Sequence, residues 1–309
     1  MPTPAHPEGA SYLEAAISGR LRENAESALR RLGACDLCPR ACGVDRMGGE
    51  IGYCRIGRKA RVASAGPHYG EERPLVGTGG SGTIFFSGCN LHCRYCQNSE
   101  ISQAGRGMEA EPAELAALML DLQARECENI NLVSPTHVIA QILEAVSLAA
   151  ASGLRLPLVY NTGGYDREDA LALLDGVVDI YMPDIKYASG QISRLLSDVP
   201  DYPERNREAI KEMHRQVGDL RLDERGVAIR GLLVRHLVLP ADLAGTAKAV
   251  AFLADEVSTH TYVNIMDQYR PHHQAWGTPH LDRGIAPEEY GRAVAAALTA
   301  GLHRLDGRR

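Results

Sequence analysis

Six short apolar runs punctuate the chain, at 82–87, 129–133, 157–160, 178–182, 231–238 and 261–266. Each is dominated by aliphatic or aromatic residues and bounded by polar or turn-forming ones, which predicts a strand. Between and after them lie longer stretches with apolar residues at helical spacing: 112–126, 136–152, 167–174, 203–216, 244–257 and 286–303. A further helix is predicted over 11–32, where Leu13, Ala16, Ile17, Leu21, Ala25, Ala28 and Leu29 fall on one stripe. The gap between the fourth and fifth strands is longer and contains a turn at Asp223-Glu224-Arg225-Gly226. Strands alternating with helices imply parallel β/α units joined by right-handed crossovers. A closed eight-unit barrel needs more strands than these. The expectation is an α/β fold: a partial (βα)6 barrel with an N-terminal helix and a cysteine-rich extension. Functional residues should then gather at the C-terminal ends of the strands.

Composition narrows this picture. The chain has 309 residues, of which 45% are apolar and 23% charged, ordinary for a globular protein. The division expected is 1–60 for the helix and cysteine-rich segment and 61–309 for the barrel. A net charge of −6 gives no electrostatic case for nucleic acid. No apolar run approaches a membrane span, and the first residues lack the basic-then-apolar layout of a signal peptide. A cytoplasmic location without membrane attachment is expected. Eight cysteines in such a chain point to metal or redox use rather than disulfides. Seven of them lie between residues 35 and 96, and the eighth, Cys127, reads as a lone packed thiol.

Cys89, Cys93 and Cys96 lie in Gly88-Cys89-Asn90-Leu91-His92-Cys93-Arg94-Tyr95-Cys96-Gln97-Asn98, just after the first predicted strand. Three thiolates leave a four-ligand metal incomplete, but they hold three corners of a cubane iron–sulfur cluster with one iron open to a substrate. The plainer reading is a zinc site with its fourth ligand elsewhere. This segment, with Tyr95 before the third cysteine, resembles the radical S-adenosylmethionine (radical SAM) superfamily. Its nearest likeness is to the pyruvate formate-lyase activating enzyme branch, and the match runs in order through residues 35–275. The resemblance implies that Cys89, Cys93 and Cys96 ligate a 4Fe–4S cluster in a TIM-like partial barrel. The open iron would chelate S-adenosylmethionine, and one electron would cleave it to methionine and a 5′-deoxyadenosyl radical. It also implies an electron donor such as flavodoxin or ferredoxin.

Other strand ends carry further candidates. Ser134 and Thr136 follow the second strand, where the activating enzymes have a Gly-Gly-Glu type motif that is missing here. Their oxygens suit an ammonium group, and equally the capping of the next helix. Asn161 and Thr162 end the third strand, and Met182-Pro183-Asp184-Ile185-Lys186 the fourth. Both resemble family turns that approach the cofactor and coordinate a monovalent cation, with Asn161 replacing the usual aspartate. Asp184 and Lys186, two apart on an extended chain, share a face, so Lys186 would meet a carboxylate. Arg235 interrupts the fifth strand and, by resemblance, reaches the S-adenosylmethionine region. His236 points to the opposite face and reads as a packing histidine. Asn264, Met266 and Gln268 share a face of the sixth strand, suited to cofactor or substrate, whereas His272 and His273 read as solvated. Gly77-Thr78-Gly79-Gly80-Ser81-Gly82 matches G-x-G-x-x-G but precedes a strand instead of opening a helix. It is expected to be a flexible approach rather than a phosphate site.

Cys35, Cys38, Cys42 and Cys54 form a second group with a full complement of four soft ligands. Zinc and a second iron–sulfur cluster both suit it. The function expected is a radical SAM enzyme that abstracts a hydrogen, with the glycine of a glycyl-radical enzyme as one substrate. Modification of a peptide or small molecule is the other enzymatic reading, and an iron–sulfur or zinc scaffold protein the non-enzymatic one. No general base is evident, and hydrogen abstraction requires none.

Overall fold

The computed structural model describes residues 9–306. Its strands in chain order are β1 (Ala60–His68), β2 (Ser81–Phe86), β3 (Met108–Ala110), β4 (Ile130–Val133) and β5 (Leu158–Thr162). They continue with β6 (Ile180–Pro183), β7 (Arg221–Leu222), β8 (Ala228–Leu237), β9 (Tyr262–Met266) and β10 (Arg304–Leu305). All six predicted strands are present, as β2, β4, β5, β6, β8 and β9. Their spatial order is β10-β9-β8-β6-β5-β4-β2-β1-β3, with β7 paired on β8. Every neighbour from β2 to β10 is parallel. Sequence order advances in one direction across these strands, which is barrel winding. A doubly wound sheet would reverse at a switch point. Among the described residues β2 and β9 do not pair, so the sheet curves as a partial barrel and does not close.

The predicted helices form at Pro112–Ala124, Ile139–Ala151, Glu168–Leu171, Tyr202–Val217, Thr246–Phe252 and Pro287–Thr299. Thr136–Val138 is a separate 3₁₀ turn, and Leu253–Val257 a π-helical turn. Proline at the first turn of 112–124 and 287–299 fits the missing N–H at that place. These helices pack on the outer face of the sheet, so β4 to β6 are covered on both sides. That explains their nearly unbroken apolar sequences.

The structure corrects three expectations. Residues 11–32 form two helices, Ser11–Ser18 and Arg20–Arg31, broken at Gly19, whose φ is 84°. The break rotates the stripe: Tyr12 and Ala15 are buried, while Ala16 is exposed and Ile17 is 89% exposed. The Ser11 backbone N–H and hydroxyl both donate to Asp179 Oδ1, at 2.8 and 2.7 Å, tying the N-terminus beneath β6. Second, the glycine segment before β2 is packed rather than flexible. The backbone N–H groups of Thr78 and Gly79 donate to Glu128 Oε1 at 3.0 and 3.4 Å, so the anion it cradles is an internal carboxylate. A side chain on Gly77 would collide with that carboxylate, which explains glycine there. Third, neither the Thr136–Val138 turn nor the helix after it has a side-chain cap, so Ser134 and Thr136 do not cap.

Candidate functional site

A cavity of about 260 Å³ opens where β4, β5, β6, β8 and β9 end. Cys89, Cys93 and Cys96 line it from the loop that follows β2. Gly88 starts that loop at φ 80°, with the Ile56 side chain 2.8 Å from where a β-carbon would stand, so only glycine lets the loop lie against residues 54–56. Each sulfur has a polar group beside it that can donate to it. The Leu91 N–H donates to Cys89 Sγ at 3.3 Å, and the Ser197 hydroxyl to Cys93 Sγ at 3.0 Å. Cys96 Sγ lies 3.2 Å from the Ser102 hydroxyl. Burial, then repulsion from Cys93, pushes the Cys89 thiol up to about 12. Burial also raises Cys93. Cys89 and Cys93 therefore hold their protons unless a cationic centre displaces them. Tyr95 is buried edge-on against Tyr187 and Tyr269, with ring centroids 6.3 and 5.9 Å away.

The opposite wall is polar. All seven candidates at the strand ends, Ser134, Thr136, Asn161, Thr162, Asp184, Lys186 and Arg235, line the same cavity. Register brings them level: Asn161 pairs with Met182 and Thr162 with Pro183, and Asp184 bridges to Arg235. Arg235 Nε donates to Asp184 Oδ1 at 2.8 Å and Nη2 to Asn161 Oδ1 at 2.7 Å. Lys186 Nζ donates to Asp184 Oδ2 at 2.6 Å. Burial opposes charge on Asp184, but Arg235 and Lys186 outweigh it and hold the carboxyl below its usual range. The oxygens of Asn161 and Asp184 already face these two cations. Positive charge at this position thus comes from the chain itself.

Below that wall is a carboxylate that sequence reasoning missed. Asp166 is buried and accepts from Thr136 at 2.7 Å, Thr162 at 2.7 Å and Tyr160 at 2.9 Å. Burial raises its carboxyl above the usual range, with the three hydroxyls pulling the other way. No local pattern marks such a residue, because its partners on β5 are joined by Thr136, 30 residues away in the chain. Ser197 escaped for a similar reason: it ends a helix, Gly190–Ser197, and lies 104 residues from Cys93 in the chain. The sixth strand divides its candidates. Met266 and Gln268 line the cavity, while the Asn264 amide instead donates to Glu72 at 3.1 Å. His236 is a packing residue, bonded to the Ile185 carbonyl and the Thr246 hydroxyl at 2.8 and 2.9 Å. His272 and His273 are exposed, and Cys127 is a buried thiol of the core.

The four other cysteines gather next door. Cys35, Cys38, Cys42 and Cys54 line a pocket of about 10 Å³, together with Arg40, Arg46, Tyr53 and His137. His137 also lines the larger cavity, with its Nε2 2.8 Å from the Ser87 carbonyl. Tyr53 stacks on His92 of the Cys89–Cys96 loop at 4.1 Å, and the Arg40 guanidinium lies 3.6 Å from the centroid of the Tyr53 ring. Arg40 Nε donates to the Asn90 carbonyl at 3.0 Å. Among the described residues neither cysteine set is drawn tightly enough to form a metal-coordinating group of three side chains. No helix among them is long and apolar enough to cross a membrane.

Comparison with known proteins bears on this arrangement. The family model of the Radical SAM superfamily matches residues 83–222. An uncharacterized protein of Methanocaldococcus jannaschii is 32% identical over 273 residues, which span 85% of this chain and 74% of that protein. A crystal structure of a radical SAM methyltransferase from Sphaerobacter thermophilus is similar at a TM-score of 0.48 and 16% identity. That match covers 72% of this chain and 64% of the solved one, less than two thirds of its length. Residues 83–222, which carry the cysteine trio at the mouth of the partial barrel, thus match a radical SAM superfamily domain, a superfamily whose chemistry rests on a 4Fe–4S cluster and S-adenosylmethionine.

Proposed function

We propose that Cys89, Cys93 and Cys96 hold the cluster, and that the polar wall binds S-adenosylmethionine for hydrogen abstraction from a carbon substrate. The observation that carries this reading is convergence: three cysteines from one loop and seven polar residues from four strand ends line one cavity. The donor set fits the group. The three sulfurs line the cavity and would offer lone pairs to iron, with open space beside them for a reactant. Held by Cys89, Cys93 and Cys96, the cluster would supply the electron for reductive cleavage of S-adenosylmethionine that makes hydrogen abstraction possible. An external reductant must provide that electron.

The chain's own residues bind, orient and exclude water. Lys186 and Arg235 place two cations on the wall, each able to meet an incoming carboxylate, with Asp184 between them and Glu72 3.9 Å from Arg235. Arg235 is fixed by Asp184 and Asn161 together and cannot swing to follow a ligand. Tyr95 and its tyrosine neighbours close the side of the loop to water, which protects a reactive intermediate. Ser134 and Thr136 supply oxygens across the cavity, suited to an ammonium group.

By their resemblance to the activating enzymes, Thr162, Met182, Asp184 and Lys186 make a protein glycine Cα–H one candidate target, with a peptide or small molecule the other. The test is anaerobic reconstitution with iron and sulfide, reduction, and addition of S-adenosylmethionine. Methionine and 5′-deoxyadenosine are expected in equal amounts, and their absence from a protein carrying the full cluster would overturn the reading. Glycyl-radical signals on a candidate protein partner, read by electron paramagnetic resonance, test the finer substrate.

A further inference from the structure

A buried cation requires an anion, and one arginine in this chain has none in sight. Arg46 is 1% exposed. Its Nε donates to the Gly57 carbonyl at 3.0 Å, and its Nη1 to the His137 carbonyl at 2.9 Å and toward Cys35 Sγ at 3.6 Å. Its Nη2 is buried without a partner. The acids nearest in sequence turn away: Asp45 accepts from the Gly48 N–H at 2.9 Å, and Glu50 from the Asp45 N–H at 2.7 Å. Among the described residues no carboxylate pairs with Arg46. A guanidinium stays charged at physiological pH, and an uncompensated buried charge is strongly unfavourable.

The pocket that Arg46 faces holds Cys35, Cys38, Cys42 and Cys54. As four thiols they would be neutral and leave the guanidinium unbalanced. As four thiolates on a divalent centre they would form a dianion against it. The backbone is already arranged for such a knuckle. The Cys35 N–H donates to the Val44 carbonyl and the Gly43 N–H to the Cys35 carbonyl, both at 2.9 Å. A β-carbon on Gly52 would stand 3.0 Å from Cys42 Sγ, so glycine there lets the returning chain close on the sulfur. The Tyr53 N–H points at the same sulfur at 3.5 Å.

We propose that Cys35, Cys38, Cys42 and Cys54 bind a soft metal centre as four thiolates, and that Arg46 is its internal counter-cation. Binding forms four metal–sulfur bonds and releases four thiol protons to solvent, with no oxidation or reduction. A zinc ion and a fully ligated iron–sulfur cluster share this chemistry. The assignment is independent of the reaction proposed for the neighbouring cavity.

The test uses the full chain carrying Cys89→Ala, Cys93→Ala and Cys96→Ala, so that bound metal reports the second site alone. Anaerobic preparation followed by zinc, iron and sulfide analysis should find one centre per chain. Zinc without sulfide identifies an ion and iron with sulfide a cluster, and either result supports the proposal. Adding Cys38→Ser should abolish retention. Metal-free protein whose four thiols are freely alkylated in the native state would overturn the site. Arg46→Met should weaken retention against a chelator by about 10–100-fold, and Arg46→Lys by less. Unchanged retention in Arg46→Met would overturn the counter-cation role. Should Arg46→Met not fold, alkylation of Cys35, Cys38, Cys42 and Cys54 in the Arg46-containing chain decides the matter. Protection that a chelator removes supports the centre, and protection indifferent to the chelator overturns it.

Discussion

Two cysteine sites lie side by side and face different surroundings. Cys89, Cys93 and Cys96 border about 260 Å³ of space ringed by strand-end polar groups, including a carboxylate clamped between two cations. Cys35, Cys38, Cys42 and Cys54 surround about 10 Å³, with an arginine against them and Cys42 alone among the four exposed. The difference is one of coordination and room. Three sulfurs beside an open space leave a corner for a reactant. Four sulfurs around a small space satisfy a metal completely and leave nothing to react with. Neighbouring sites can thus be told apart by what each leaves unfilled.

The comparison breaks most visibly at Cys93. Cys93→Ala is expected to reduce cleavage of S-adenosylmethionine to background while the second site keeps its metal. Product analysis and metal analysis on the same sample check this, and parallel loss of both metals would make the two sites one unit. Asp184→Ala should follow in size. It leaves Lys186 and Arg235 largely buried without their shared carboxylate, a loss of about 3–5 kcal/mol measurable by denaturant unfolding.

Two aspartates, Asp184 on the cavity wall and Asp166 below it, should respond oppositely to pH. The folded Asp184 carboxyl is held below its unfolded value of about 3.9, so its stabilisation is present above that pH and disappears as pH falls through the folded value. Asp166 is raised instead, so its contribution is present below the unfolded value and lost as pH rises through the folded one. Asp166→Asn should therefore shift stability at neutral pH by only about 1 kcal/mol, a removed buried charge offsetting weaker hydroxyl bonds. Its difference from the parent chain should change between acid and neutral pH, as read from denaturant midpoints. The smallest effect expected is that of Tyr53→Ala, which removes the stack on His92. A loss of about 0.5–1.5 kcal/mol would mark the aromatic bridge between the sites, and hydrogen exchange in the Cys89–Cys96 loop would localise it.

The parallel strands were legible in sequence because burial on both faces leaves continuous apolar runs at β4, β5 and β6. β1 was not, because Gly66-Pro67 interrupts it and most of its positions are half-buried, which erases alternation. The same division runs through the site. Cysteine spacing is local and survives in the sequence, as does the two-residue offset that puts Lys186 beside Asp184. Asp166 and Arg46 draw part of their meaning from groups far away in the chain, at residue 136 for one and 137 for the other. The stripe over residues 11–32 misled because Gly19 resets the helical phase, which apolar periodicity alone does not reveal.

One feature of the rim has a mechanical side. In a closed barrel the ring of backbone hydrogen bonds fixes the shape of the mouth. Here β2 and β9 leave that ring unfinished. Arg235 of β8 grips Asp184 just past β6 and Asn161 of β5, so one guanidinium laces three adjacent strands at their C-terminal ends. It acts as a partial hoop, resisting splay at the end of the sheet where the missing strands would otherwise have supplied tension.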